Sequence, residues 1–333
     1  MADGDVIFME GFDWANTPTG TINGLSARWS NVGGSMSLVA GRFGGRALQQ
    51  PAGNSSGAFS PYFTAITSFT LCMSISLTSS DNSTGWAMCS GSSQHLNYRV
   101  HNTNDVELRI GATNIGYFTL TIGTWMTLEI ELEWHASAGR VTVYRNGAQV
   151  LNVTGINTTG GLSSVNNFRF NPDAASVAPG RYDDFVIYQG SSKPARAAFI
   201  NTISVDADGG TLDWVPSTGS DHYAMLDDLP LGTGDYVSGT TVGDIDILNV
   251  GSLSSDEDIL AVQIAAIALK TDGNTRGITV SPTVGSTEDD YPETILNTTA
   301  SYISRLYNLS PDTSLAWTKT ELEAASVKVE VTT

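Results

Sequence analysis

Cysteine is nearly missing from this chain of 333 residues, which holds only Cys72 and Cys89. Two cannot staple a scaffold, and neither stands in a CxxC or Cys/His spacing suited to zinc. Buried free thiols are the expectation, with a cross-strand bridge as the alternative. Cations are scarce as well. Sixteen Lys and Arg face 34 Asp and Glu, a formal charge of −18. With no basic run in the sequence, an electrostatic grip on nucleic acid or anionic membranes is excluded, and a solvated acidic surface is expected. The four histidines (95, 101, 135 and 222) show no HExxH spacing, and there is no GxSxG elbow. GRFGGR at 41–46 lacks the Lys-Ser/Thr of a phosphate loop and any helix after it, so it reads as a turn. Long apolar runs are also wanting. The most apolar window, Ile259 to Leu269, spans about 11 residues, too few to cross a bilayer. The opening MADGDVIFMEGF has no cationic segment leading into an apolar core, so the expectation is synthesis in a cytoplasm without a secretory signal.

What is abundant is short-strand texture. Hydrophobic residues make up 41% of the chain, with many Gly, Ser, Thr and Asn between scattered aromatics. This is the pattern of strands joined by turns, and the length favours two domains over one. The clearest stretch runs from Trp125 to Val153. Met126, Leu128, Ile130, Leu132 and Trp134 fall on one face, Thr127, Glu129, Glu131 and Glu133 on the other. Val141, Val143 and Tyr144 lead into Asn146-Gly147, a pair suited to a tight hairpin, and Gln149 to Val153 returns. Around this meander, strands are expected at 5–14, paired at 59–78 with 85–100 and at 105–111 with 115–121, then at 167–171 and 181–190. Phe69, Leu71, Met73, Ile75 and Leu77 share one face of their strand, opposite Cys72. Many short strands at this spacing make a two-sheet sandwich.

SSKPAR at 191–196 is the best linker, because Pro194 cannot extend a ladder. The domains are therefore read as 1–190, a linker at 191–199, and 200–333. In the last, Ile259 to Leu269 suits either a helix capped by Asp256 or a buried strand, and alternation favours the strand. Thr318 and Glu321 have capping-box spacing and start a short helix of roughly two turns, before VKVEV closes as a strand.

FMEGFDW at 8–14, ARWS at 27–30, GRFGGRALQQ at 41–50, VTVYRNG in the meander and RYDDFVIYQG at 181–190 together resemble a concanavalin A-like (laminin-G-like) jelly-roll domain, as found in tailed-phage virion proteins. Residues 200–333 resemble a C-terminal β-sandwich module of such proteins. The resemblance implies an all-β protein: a jelly-roll sandwich plus a second, smaller β-sandwich with a short C-terminal helix. It further implies a non-enzymatic virion protein, either a capsid decoration or head fibre or a tail appendage, that contacts other virion proteins and forms a homo-oligomer. A carbohydrate-binding adhesin for host surface glycans is the alternative, and a glycan hydrolase the third reading.

Site residues follow from these readings. A glycan binder would use exposed Trp14, Trp29, Trp86 or Tyr98 as stacking platforms, and core packing is their competing fate. Jelly-roll domains often hold a structural calcium, for which Glu10 and Asp13 near the first strand would meet Asp183 and Asp184 on the last. Those aspartates otherwise serve turns and backbone hydrogen bonds. EIELE at 129–133 superficially resembles the ExDxE strand of laminarinase-type hydrolases, with Glu131 where that motif has Asp. Alternating Glu on a solvent-facing strand is the plainer reading, and no catalytic residue is assigned. Asn-x-Ser/Thr triplets at Asn54, Asn82, Asn152 and Asn297 are expected by chance in so Ser- and Thr-rich a chain.

Overall fold

The computed structural model describes the chain apart from residues 1–3, 18–23, 34, 52–56, 80–82, 102–103, 172–178, 192–196, 233, 255–257 and 290. Asn54, Asn82, Pro194 and Asp256 lie outside the described residues. The protein is all-β and divides into two compact units. The first takes the described residues up to Asp13, then Thr17 and Arg28–Ile200. The second takes Trp14–Asn16, the described part of 20–27, and Asn201–Thr333. Residues 14–16 and 24–27 thus leave the unit that the sequence assigned them to.

The first unit is built from fourteen strands, among the described residues: β1 (Val6–Glu10), β2 (Ser37–Ala40), β3 (Arg46–Gln50), β4 (Ala58–Phe59), β5 (Phe69–Leu77), β6 (Ser83–Ser90), β7 (Ser93–Val100), β8 (Asp105–Ile110), β9 (Thr113–Thr119), β10 (Met126–Glu133), β11 (Gly139–Arg145), β12 (Ala148–Ile156), β13 (Asn167–Phe170) and β14 (Gly180–Gln189). One sheet runs β12-β11-β10-β5-β14-β3-β2, with β1 also on β14; the other runs β4-β13-β6-β7-β8-β9. Every named pairing is antiparallel.

Local chemistry accounts for the meander. Asn146 and Gly147 take φ of 51° and 79°, the left-handed pair that a two-residue turn requires. Asn146 also accepts the Thr127 N–H through Oδ1 at 2.8 Å. The two sheets face each other through aromatic rings. Phe168 of β13 lies 4.2 Å from Phe185 of β14, and Phe170 of β13 stands 4.8 Å from Tyr182 of β14. The hydroxyls of Tyr98 and Tyr182 lie 2.6 Å apart, satisfying two polar atoms that burial would otherwise strand.

Two expectations are corrected. The stretch 59–78 does not pair with 85–100: β5 joins the first sheet, and β6 turns back onto β7 in the second. Cys72 and Cys89 therefore lie in different sheets, both buried as expected and with no disulfide between them. The glutamates of EIELE do not line a solvent face. β10 is interior, flanked by β5 and β11, and Glu129 and Glu131 are 1% and 6% exposed; only Glu133 is open. The chain beyond β14 crosses this face, where the Ala198 carbonyl lies 3.8 Å from Cys72 Sγ, and Cys72 is the register partner of Glu129.

The second unit has a main sheet of β15 (Val205–Leu212), β18 (Ile245–Val250), β24 (Ser326–Val331), β20 (Gly277–Val284) and β21 (Thr287–Glu288), with β22 (Thr294–Ile295) on β20. Two ribbons complete it, β16 (Val215–Pro216) with β17 (Val237–Ser238) and β19 (Val262–Ala268) with β23 (Ser301–Tyr307). The ambiguous run at 259–269 is thus a strand. Its Ile264, Ala266 and Ala268 pack on Ile278, Val280, Leu296 and Ile303. The early segment takes part here: the Trp14 ring lies 4.8 Å from that of Tyr302, and the Trp14 carbonyl accepts the Leu231 N–H at 3.0 Å. The helix α1 (Lys319–Glu323) carries the full capping box: Thr318 Oγ accepts the Glu321 N–H, and Glu321 accepts the Thr318 N–H. It is one turn and a half, shorter than the sequence suggested, and β24 follows.

Candidate functional site

The four aromatics expected as stacking platforms are core residues. Trp29, Trp86 and Tyr98 are no more than 1% exposed and Trp14 is 8% exposed, so none offers a ring to a ligand. Large apolar side chains are the natural filling of a two-sheet sandwich, and that use wins here.

The carboxylates expected to hold calcium divide into two places. Glu10 is buried against Trp29 and Arg28: it accepts the Arg28 Nη1–H at 2.8 Å, the Trp29 indole N–H at 2.9 Å and the Phe12 N–H at 2.9 Å. Asp13, Asp183 and Asp184 are brought together at the loop between β2 and β3. Asp183 accepts the Arg42 N–H at 2.9 Å and the Asp184 N–H at 2.9 Å. Asp13 accepts the Arg46 N–H at 2.6 Å. Asp184, at φ 50° in the bulge of β14, accepts the Ser74 hydroxyl at 2.7 Å and the Ile200 N–H at 2.8 Å. Burial, then the charge of Asp184, pushes the Asp183 carboxyl up to about 8; burial likewise raises Asp184. Among the described residues no three Asp, Glu, His or Cys side chains are spaced to hold a metal ion. This donor set does not fit the calcium: its oxygens hold the chain.

What they hold is a loop with an aromatic tip. Asp183 and Asp13 grip the two ends of 42–46, and the Gly41 N–H reaches the Gly45 carbonyl at 3.2 Å. Glycine is required at 41 and 45. A Cβ on Gly41 would sit 2.6 Å from Asp183 Oδ2, and one on Gly45, at φ 59°, would run into the Asp13 carboxylate. Arg42 turns inward and donates from Nη1 to Thr127 Oγ1 at 2.7 Å and Ser74 Oγ at 3.1 Å, its guanidinium 4.7 Å from the Phe43 ring centre. Phe43 is 66% exposed, with Phe199 (40% exposed) 5.5 Å away. The arrangement suits recognition: a rigid loop presents an aromatic face backed by a cation. Sequence reading found the turn but not its purpose. The available signal was a phenylalanine set between two arginines in a glycine turn, where nothing local buries it.

These features define a class: an all-β protein whose first unit is an antiparallel two-sheet sandwich presenting an aromatic loop. No family model and no curated protein sequence matches the chain. Solved structures similar to it include an endo-β-1,4-glucuronan lyase from the fungus Trichoderma reesei, at 15% identity and TM-score 0.37, covering 48% of this chain and 91% of that one. Domain 4 of the arabinanase AbnA from Geobacillus stearothermophilus, solved with arabinotriose, is 14% identical at TM-score 0.40, covering 59% and 98%. The carbohydrate-binding module CBM66 from Bacillus subtilis is 14% identical at TM-score 0.33, covering 48% and 95%. The architecture stated above rests on the chain's own sheets.

Proposed function

We propose that the protein is a non-enzymatic structural component of a tailed-phage virion, in which the first unit is displayed and the second docks to neighbouring virion proteins. The observation that carries the non-enzymatic part is how the candidate carboxylates are used. Glu129 and Glu131, the carboxylates that the likeness of EIELE to a hydrolase strand put forward, are 1% and 6% exposed on an interior strand. A general acid or nucleophile must instead meet substrate. The virion part rests on the resemblance of the motifs at 8–50 and 141–190. Cryo-electron microscopy of purified particles tests it: ordered copies on the shell or the tail are expected, and absence from particles overturns it.

A second reading is favoured by one observation, the exposed Phe43 on a loop pinned from below: the displayed unit binds host glycan there, through stacking of a sugar ring on Phe43. Phe43→Ala is expected to reduce retention on immobilised host glycan at least about tenfold, as loss of an aromatic anchor does, with the melting temperature unchanged. Equal retention by the variant removes this reading.

A further inference from the structure

We propose that the β16–β17 ribbon of the second unit is a docking face for a basic, apolar-bearing segment of a partner protein; this deepens the docking role given above and rests on it. Register fixes the face. Val215 pairs with Ser238 and Pro216 with Val237, and the Ser217 N–H donates to the Tyr236 carbonyl at 2.8 Å. Directly opposed residues share a side, so Val215, Ser217, Tyr236 and Ser238 lie together, while Trp214, Pro216 and Val237 lie on the reverse. The reverse is anchored. Trp214 packs on the Ile278–Val280 cluster, its indole N–H donates to the Asp244 carbonyl at 3.2 Å, and its main-chain N–H donates to Asp246 at 2.9 Å. The same Asp246 lies 2.7 Å from Nδ1 of the buried His222, tying down the connection that leaves the ribbon.

Met225 reaches the front only at Ser217, with its Sδ 3.4 Å from the Ser217 hydroxyl, and the apolar positions are left open. Val215 is 63% exposed and Tyr236 56%, large apolar groups held in water by a ribbon whose back is tied. Charge names the occupant. From residue 201 to 269 the sequence has no Lys or Arg and twelve Asp or Glu. Asp213, Asp227, Asp228 and Asp235 are exposed, and both Asp228 and Asp235 reach the surroundings of Gly232. A second copy would bring the same acidic face against itself, and a nucleic acid would be repelled. A segment alternating Lys or Arg with aliphatic side chains meets both features, covering Val215 and Tyr236 and answering the aspartates.

The test is fluorescence anisotropy of the full chain with a labelled peptide of alternating Lys and Val. A Lys–Ser peptide of the same length is the control. The Lys–Val peptide is expected to bind, with affinity falling as salt rises. The double variant Val215→Ser, Tyr236→Ser should weaken it at least about tenfold, as removal of anchor side chains does. Asp228→Asn with Asp235→Asn should flatten the salt dependence, and decides the matter if the first variant melts early. Equal binding of the Lys–Ser peptide, or unchanged binding by both variants, overturns the proposal. So does a concentration-dependent dimer of the native chain that Tyr236→Ser abolishes, which would make the face a self-contact. Loss of peptide binding leaves particle location intact, and absence from particles leaves peptide binding intact, so the two failures are distinguishable.

Discussion

All nine residues of β5 are buried, and none of the seven in β19 is. Both strands are apolar runs, so composition does not explain the contrast. β5 sits mid-sheet between β10 and β14, with a second sheet on one face and the chain's return at Ala198 and Ile200 on the other. β19 has one partner, β23, and one packed face. A strand's burial is set by what lies on both sides of it, and the second unit has left more of its sides open. The first unit is finished by itself, whereas the second has apolar surface to spare.

The comparison breaks first in the two cores. Phe168→Ala removes a ring that touches Trp86, Phe170 and Phe185, and should cost about 3–5 kcal/mol in urea unfolding. Ile303→Ala in the thinner core should cost roughly 2 kcal/mol, because the partly buried side chains around it collapse more easily into the gap. Equal costs would mean the second core is as tightly closed as the first.

A smaller effect, read by pH, belongs to the first unit alone. Asp183 keeps its proton up to about 8 in the folded chain, against an ordinary 3.8, so its contribution is complete at low pH and is lost as pH rises toward 8. His95, stacked 4.5 Å from Trp134, is lowered by burial from 6.5 to about 4; its contribution is complete above 6.5 and is lost as pH falls toward 4. The two oppose one another between about 4 and 6.5, and from there to 8 the buried pair Asp183 and Asp184 acts without His95. Stability should therefore decline by about 2 kcal/mol between pH 6.5 and 8, and Asp183→Asn should flatten that decline. A native melting temperature constant over this range would remove the raised carboxyl. The smallest effect sharpens the second unit alone: Thr318→Ala loses the cap of α1 and should cost about 1 kcal/mol, read in the same melts.

Local chemistry was legible in the sequence. Asn146-Gly147 specifies its turn from within, as do Thr318 and Glu321 their helix start, because the partners lie within a few residues. The placement of Glu129 and the gathering of Asp13, Asp183 and Asp184 were only half legible. The first and last strands do meet, β1 pairing with β14. That the carboxylates would grip a loop depended on Arg42, 141 residues from Asp183, and on the absence of a Cβ at 41 and 45. Burial of Trp29, Trp86 and Tyr98 was likewise undecidable locally, since an aromatic on a strand reads the same whichever side the second sheet takes.

The Trp14–Tyr302 contact has a consequence for how the protein is made. Tyr302 leaves the ribosome 288 residues after Trp14. At about 5–20 residues per second, the indole waits roughly 15–60 s for the ring it packs against. In that time the first unit can fold around its own strands, but the second cannot close until β23 has been made. A nascent chain stalled before β23 would thus carry a finished sandwich with an unspent tryptophan.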